Sequence, residues 1–244
     1  MIANKNSLLK GILYALAAAA LFGASTPISK LLLGQTDPWL LAGILYLGAG
    51  LGLLVFKLAS GAFGRDEKEA SLRRSDIPWV SAVVLFGGIV GPVLLMFGLA
   101  QTSAASTSLL LNVEGIATMG IAWVVFQENV DRRLLLGAAA ILSGAVLLSW
   151  NDASVALDRG GLLVVLACLA WGIDNNLTRK LSGSDPIQLV IIKGIVAGSV
   201  NIGIALWQDV SLPALSLALG GAVVGLFGIG ISLVFFMLGL RHLG

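Results

Sequence analysis

The sequence predicts an all-α integral membrane protein: a multi-helix bundle of about eight transmembrane helices, arranged as an inverted five-helix repeat whose second copy is incomplete. Three observations carry this. Apolar runs near 20 residues long recur along the chain, lysine and arginine gather on one side of them, and the pattern restarts at the sixth run. Of 244 residues, 57% are hydrophobic and 11% charged, with a mean hydropathy of +0.97. Soluble domains carry about 45–50% apolar and about 25% charged residues. A water-facing surface cannot be assembled from so few charges, whereas a hydrocarbon core about 30 Å thick asks for apolar helices of about 20 residues.

Taken in order, the runs are Leu9 to Leu33, Pro38 to Phe56, Pro78 to Ala100, Ala104 to Phe126, Leu134 to Trp150, Gly160 to Leu181, Pro186 to Trp207 and Pro213 to Leu240. The first follows Lys5 and Lys10 like a signal sequence, but its apolar stretch exceeds the ~7–15 residues of a signal core, so it is read as a retained helix. Asp37-Pro38, Ile77-Pro78 and Asp185-Pro186 suit helix starts, where the N–H that proline lacks has no helical partner in any case. The last run is long enough to tilt or to hold an interfacial turn. Trp39, Trp79, Trp150 and Trp207 fall near predicted ends, where amphipathic rings sit at the headgroup level. Arg65 to Asp76 mixes both charge signs and reads as a solvated loop. Glycine pairs four residues apart, Gly48/Gly52, Gly87/Gly91, Gly194/Gly198 and Gly221/Gly225, permit close helix approach, although glycine-rich apolar sequence produces such pairs by chance.

Lysine and arginine set the orientation. Eight spans place Lys5, Lys10, Lys57, Arg65, Lys68, Arg73, Arg74, Arg132, Arg133, Arg179, Lys180 and Arg241 on the N-terminal side. Only Lys30 and Arg159 fall opposite, and Lys193 lies inside a span. The positive-inside rule then puts the N-terminus in the cytoplasm of a multi-pass inner (plasma) membrane protein.

The internal repeat aligns three stretches in the same order. Gly11 through Leu21-Phe22-Gly23 to Ser29-Lys30 matches Gly160 through Ala170-Trp171-Gly172 to Thr178-Arg179, and Asp37-Pro38 matches Asp185-Pro186. Leu85-Phe86-Gly87, Val93, Met96 and Gly98-Leu99 match Leu226-Phe227-Gly228, Val234, Met237 and Gly239-Leu240 with identical spacing. Residues 1–150 form the first copy, and residues 151–244 form a second copy of three helices. A five-helix unit makes the second copy enter the membrane from the other face, the arrangement of many secondary transporters that bind solute near the midplane. The shorter second copy reads as a fragment of a ten-helix protein or as the loss of two helices.

The opening glycine-rich helix with Phe22-Gly23 and Ser29-Lys30 resembles the drug/metabolite transporter superfamily, EamA type. So do Phe126-Gln127-Glu128-Asn129 with Leu136-Gly137, Gly144 and Leu147-Leu148, and the segment Asp174-Asn175-Asn176-Leu177-Thr178-Arg179-Lys180. The likeness covers the whole chain. It implies ten helices in two five-helix repeats, solute handled between the halves, and often export. The diversity of substrates in that superfamily leaves the solute open, and the missing C-terminal pair would ordinarily help line the pathway.

Ionisable groups within spans cost about 2.5–3.5 kcal/mol each on insertion scales and are functional candidates by default. Glu114, with Asn112 two positions earlier, lies near the middle of the fourth run. Asp174 and Lys193 each lie about seven residues from the same face on consecutive antiparallel helices, about 10 Å deep at 1.5 Å per residue. An ion pair there fixes helix register or serves solute binding and gating. Asn175 and Asn176 bond between helices or meet solute. Glu114 has three readings: a site that exchanges protons or binds a cation, a protonated acid bonded within the bundle, or a partner of Lys193. Late in the first run, Ser25, Thr26 and Pro27 either expose backbone carbonyls or make a simple kink, while Lys30 snorkels to the outer interface.

One cysteine, Cys168, and one histidine, His242, supply neither a disulfide nor a metal cluster. No nucleophile elbow or phosphate loop is present, so the expectation is no enzyme, no cofactor and no ATP. The favoured function is a secondary transporter, exporting a small metabolite or drug-like solute such as an amino acid or amine, with proton coupling as an option. The pathway residues would be Glu114, Asn112, Asp174, Asn175, Asn176 and Lys193. A non-transporting scaffold or partner subunit is the alternative. Expected partners are the solute and the lipid bilayer, with no nucleic acid and with a homodimer left open.

Overall fold

The computed structural model describes residues 5–62, 70–127, 132–149 and 159–243. Every regular element among them is helical. We number the elements α1 (Lys5–Leu33), α2 (Pro38–Ala62), α3 (Arg74–Gln101), α4 (Ala104–Val124), α5 (Arg132–Ser149), α6 (Arg159–Lys180), α7 (Pro186–Trp207) and α8 (Leu215–Leu243). Among the described residues, all but α5 meet both the length and the hydropathy needed to cross a membrane. The eight predicted runs thus appear as eight helices. Arg65, Lys68 and Trp150, and the boundary between the two copies, lie outside the described residues.

Helix starts obey the predicted chemistry. Asp37 Oδ1 accepts from the Trp39 amide at 2.8 Å, and Asp185 Oδ1 accepts from the Ile187 and Gln188 amides at 2.8 and 3.2 Å. Each carboxylate satisfies donors that the first turn leaves orphaned, with proline at the next position. α1 runs unbroken through Pro27.

Two elements depart from simple helices. The fourth run, expected to be continuous, is divided into Ala104–Leu110 and Val113–Val124 by a turn at Leu111 and Asn112. α3 and α8 each contain a π-helical segment, Val84–Val90 and Leu226–Ile231. These segments fall on the two matching Leu-Phe-Gly triplets. An i→i+5 segment inserts into an α-helix at the cost of displaced hydrogen bonds and is commonly found at functional sites.

The stretches that match in sequence make similar helix contacts. Gly11 at the start of α1 abuts His242 and Leu243 at the end of α8, while Gly160 at the start of α6 abuts Gln101 at the end of α3. Gly228 in the α8 π segment faces Ser25 of α1, as Gly87 in the α3 π segment faces Asp174 of α6. α2 and α7 cross between these pairs. There Gly50 lies against Gly194 and Ile195, and Gly198 lies against Leu47, so close that a Cβ would clash with backbone. Gly48 and Gly225 make the same approach between α2 and α8. All four of the predicted glycine pairs therefore lie at helix contacts.

The outward faces are apolar. Leu31, Val55, Leu136 and Trp207 are largely exposed, which in water would be an aggregation hazard and in lipid is the required surface. At one end of the bundle Lys57 pairs with Asp185 at 2.5 Å, Arg241 donates to the Ser182 and Ser184 carbonyls, and the Lys180 ammonium sits 4.0 Å over the Trp79 ring. At the other end Lys30, expected at an interface, donates to the Leu99 and Ala100 carbonyls at 2.6 and 3.2 Å. A cation there complements the negative end of the α3 dipole.

Candidate functional site

A cavity of about 370 Å³ opens between α1 and α8 on one side and α3, α4 and α6 on the other, with α2 and α7 at its base. That size is near the lower end of small-molecule sites, about 300–1,000 Å³. Most of its wall is apolar: alanines 15, 18 and 19 of α1, Phe22, Leu95, Met96 and Phe236. Phe22 and Trp171 occupy equivalent places in the two copies. They meet edge to face there, with ring centroids 5.6 Å apart.

Asp174 and Lys193 reach the cavity base from consecutive helices and form an ion pair at 2.6 Å. Both are almost fully buried, at 4% and 1% relative exposure. Removing two charges from water costs several kcal/mol per ion, and only close, well-hydrogen-bonded geometry repays it. Thr178 Oγ1 adds a donor to Asp174 Oδ1 at 3.4 Å. The counterpart positions in the first copy are Ser25 and Leu45, so the pair belongs to one half only.

Glu114 enters from α4 and does not pair with Lys193. Its Oε1 accepts from Asn175 Nδ2 at 2.8 Å, and the same amide nitrogen lies 3.1 Å from Thr118 Oγ1. Thr118 Oγ1 donates in turn to the Glu114 carbonyl at 2.8 Å. Asn176, one residue further on, bonds the Thr118 carbonyl at 3.0 Å and the Gly172 carbonyl at 2.8 Å. It therefore joins α6 to α4 and lies outside the cavity lining.

Of the six sequence-selected residues, Glu114, Asp174, Asn175 and Lys193 line one cavity. Asn112 does not join them. It sits in the α4 turn, is exposed, and donates back to the Leu109 and Ser108 carbonyls at 2.9 and 3.3 Å. Residues two apart on a helix point to opposite sides, and the turn at Leu111 and Asn112 directs this amide back onto its own helix.

The α3 π segment supplies what sequence reasoning missed. Its displaced Gly87 carbonyl accepts from Tyr46 Oη at 2.5 Å and from Trp171 Nε1 at 3.3 Å, and Asn201 Nδ2 reaches the Gly88 carbonyl at 3.1 Å. Tyr46 and Trp171 thus face the cavity with their polar ends tied to α3 backbone. The signal available in sequence was the repeated Leu-Phe-Gly triplet, together with a tyrosine and an asparagine inside apolar runs.

The sequence model of the EamA-like transporter family matches residues 9–150, more than half of the chain. A Methanothermobacter thermautotrophicus protein described as an uncharacterized transporter is 29% identical over 251 residues, covering 96% of this chain and 72% of that protein. A solved crystal structure superposes with a TM-score of 0.71 at 17% identity, over 95% of this chain and 79% of the other. That last likeness establishes a shared fold.

Proposed function

We propose, for a chain that belongs to the EamA-like transporter family, that it is a secondary transporter exporting a small metabolite or drug-like solute across the inner membrane in exchange for protons. The cavity carries this reading. It is lined by helices from both halves of the chain and holds the ionisable side chains that the membrane interior otherwise penalises.

In this mechanism α1 packs with α8 and α3 with α6, and each pair tilts against the α2–α7 base to open the cavity to one face and then the other. The small-residue contacts along α2 and α7 provide a smooth bearing surface, and the π segments give α3 and α8 a place to bend. The Asp174–Lys193 pair is neutral as a unit and fixes α6 to α7. Glu114 carries the coupling. A carboxylate in an apolar wall is costly to leave charged, so it is stabilised when it holds a proton or a cationic solute. The basic ends of α2, α6 and α8, and the Arg73–Arg74 segment, support a cytoplasmic N-terminus.

Flux in proteoliposomes under an imposed pH gradient tests this, with a panel of amino acids and amines and with Glu114→Gln alongside the unmodified chain. Gradient-dependent flux that the substitution abolishes is the expected result. Flux indifferent to the gradient and to the substitution would remove Glu114 from coupling. No flux of any panel member from well-folded protein would turn the reading toward a membrane scaffold.

A further inference from the structure

We propose that the solute is a small organic cation, an amine attached to an apolar or aromatic body, in preference to an amino acid or an organic anion. This assignment rests on the transport reading of the cavity and follows from which hydrogen-bonding capacity the cavity leaves unused.

Most of the polar side chains at the cavity wall already donate to a protein partner. The Lys193 ammonium gives one of its three donors to Asp174 at 2.6 Å, and with a side chain 1% exposed it stays held at that carboxylate. Tyr46 Oη and Trp171 Nε1 both donate to the Gly87 carbonyl. Asn175 Nδ2 is shared between Glu114 Oε1 and Thr118 Oγ1. Ser25 Oγ donates to the Phe22 carbonyl at 2.6 Å and Ser232 Oγ to the Ala18 carbonyl at 3.2 Å, each toward backbone. The lining hydroxyls of Thr26 and Ser29 remain, and a hydroxyl accepts as readily as it donates.

The unused capacity of the lining residues is therefore chiefly that of acceptors: the Glu114 carboxylate, the Asn175 side-chain carbonyl and the lone pairs of the Ser25 and Ser232 hydroxyls, beside the two-way hydroxyls of Thr26 and Ser29. The charge balance agrees. Asp174 and Lys193 cancel, and among the described lining residues Glu114 is the charge without an ionic partner. An ammonium has three donors and no acceptor, so it matches this surface group for group. A carboxylate has only acceptors and would find no free cation, since taking Lys193 would strand Asp174 in an apolar interior. The Phe22–Trp171 pair and the alanine face of α1 accommodate the apolar body, and the aromatic faces favour a cation.

Three probes of one shape and different charge decide the matter: 2-phenylethylamine, phenylalanine and 3-phenylpropionate. Their binding to the purified full chain in lipid nanodiscs is measured by equilibrium dialysis at neutral pH. The amine is expected to bind at least about tenfold more tightly than either other probe, a difference of about 1.4 kcal/mol. Glu114→Gln should erase that preference and Glu114→Asp, which keeps the charge, should retain it. Equal or tighter binding of phenylalanine or phenylpropionate, or no binding of the amine to the unmodified chain, overturns the assignment. So does a full amine preference in Glu114→Gln. Proteoliposomes that move another solute but refuse the amine overturn the cation assignment and leave transport standing. An amine bound as expected but moved by no gradient does the reverse.

Discussion

The Asp174 carboxylate occupies the space that a Cβ on Gly87 would need. The buried ion pair of α6 and α7 is thus seated directly on the bare backbone of the α3 π segment, and packing and electrostatics at the cavity base cannot be altered separately.

Gly87→Ala is therefore expected to destabilise the protein by about 1–3 kcal/mol, the range for overpacking a filled interior. Gly23→Ala is the control. No atom lies within 4 Å of a Cβ built there, so the ordinary helix preference for alanine makes it neutral or stabilising by up to about 1 kcal/mol. Thermal unfolding in detergent reports both, and equal effects would sink the argument.

Neutralising one member of the ion pair leaves the other unpaired. Lys193→Met or Asp174→Leu should each cost about 3–5 kcal/mol, whereas the double substitution should recover most of that loss. A double-mutant cycle by chemical denaturation measures the coupling. Additive losses would show that the two charges are solvated independently.

Tyr46→Phe deletes one of the two donors to the Gly87 carbonyl and leaves Trp171 at 3.3 Å. A loss of about 1 kcal/mol is expected, with faster amide exchange confined to Val84–Val90. Exchange that rises evenly along α3 would mean that Tyr46 does not secure the π segment.

At the end of the bundle, Asp185 caps α7 through two backbone amides and also pairs with Lys57. Asp185→Ala should cost about 1–2 kcal/mol, chiefly through the cap. Lys57→Ala should cost less than about 1 kcal/mol, because its partly exposed charge is screened by solvent. A reversed order in unfolding midpoints would make the ion pair the stronger contribution.

Helix positions were legible from residues whose energetics are local. Run length, proline after aspartate, and basic residues near the ends all report on the nearest turn or the nearest interface. The Asp174–Lys193 pair was legible as well, because two charges at matched depth on consecutive helices have few other partners. Glu114 was harder to place. Its partner Asn175 comes from α6, and no rule of spacing brings α4 against α6. Asn112 was selected for standing two positions before Glu114, but it sits in the turn before Val113, bonds to its own helix and is absent from the cavity lining. Tyr46 and Trp171 went unselected because their acceptor is a backbone carbonyl released by a π turn, and side-chain patterns do not record backbone acceptors.

The ion pair also places a demand on biosynthesis. Lys193 follows Asp174 by 19 residues, so at about 5–20 residues per second the aspartate leaves the ribosome roughly 1–4 s before its counter-charge. An α6 released alone into lipid would carry an uncompensated carboxylate into the hydrocarbon. A translocon that holds α6 until α7 arrives, and releases the two as a hairpin, avoids that intermediate.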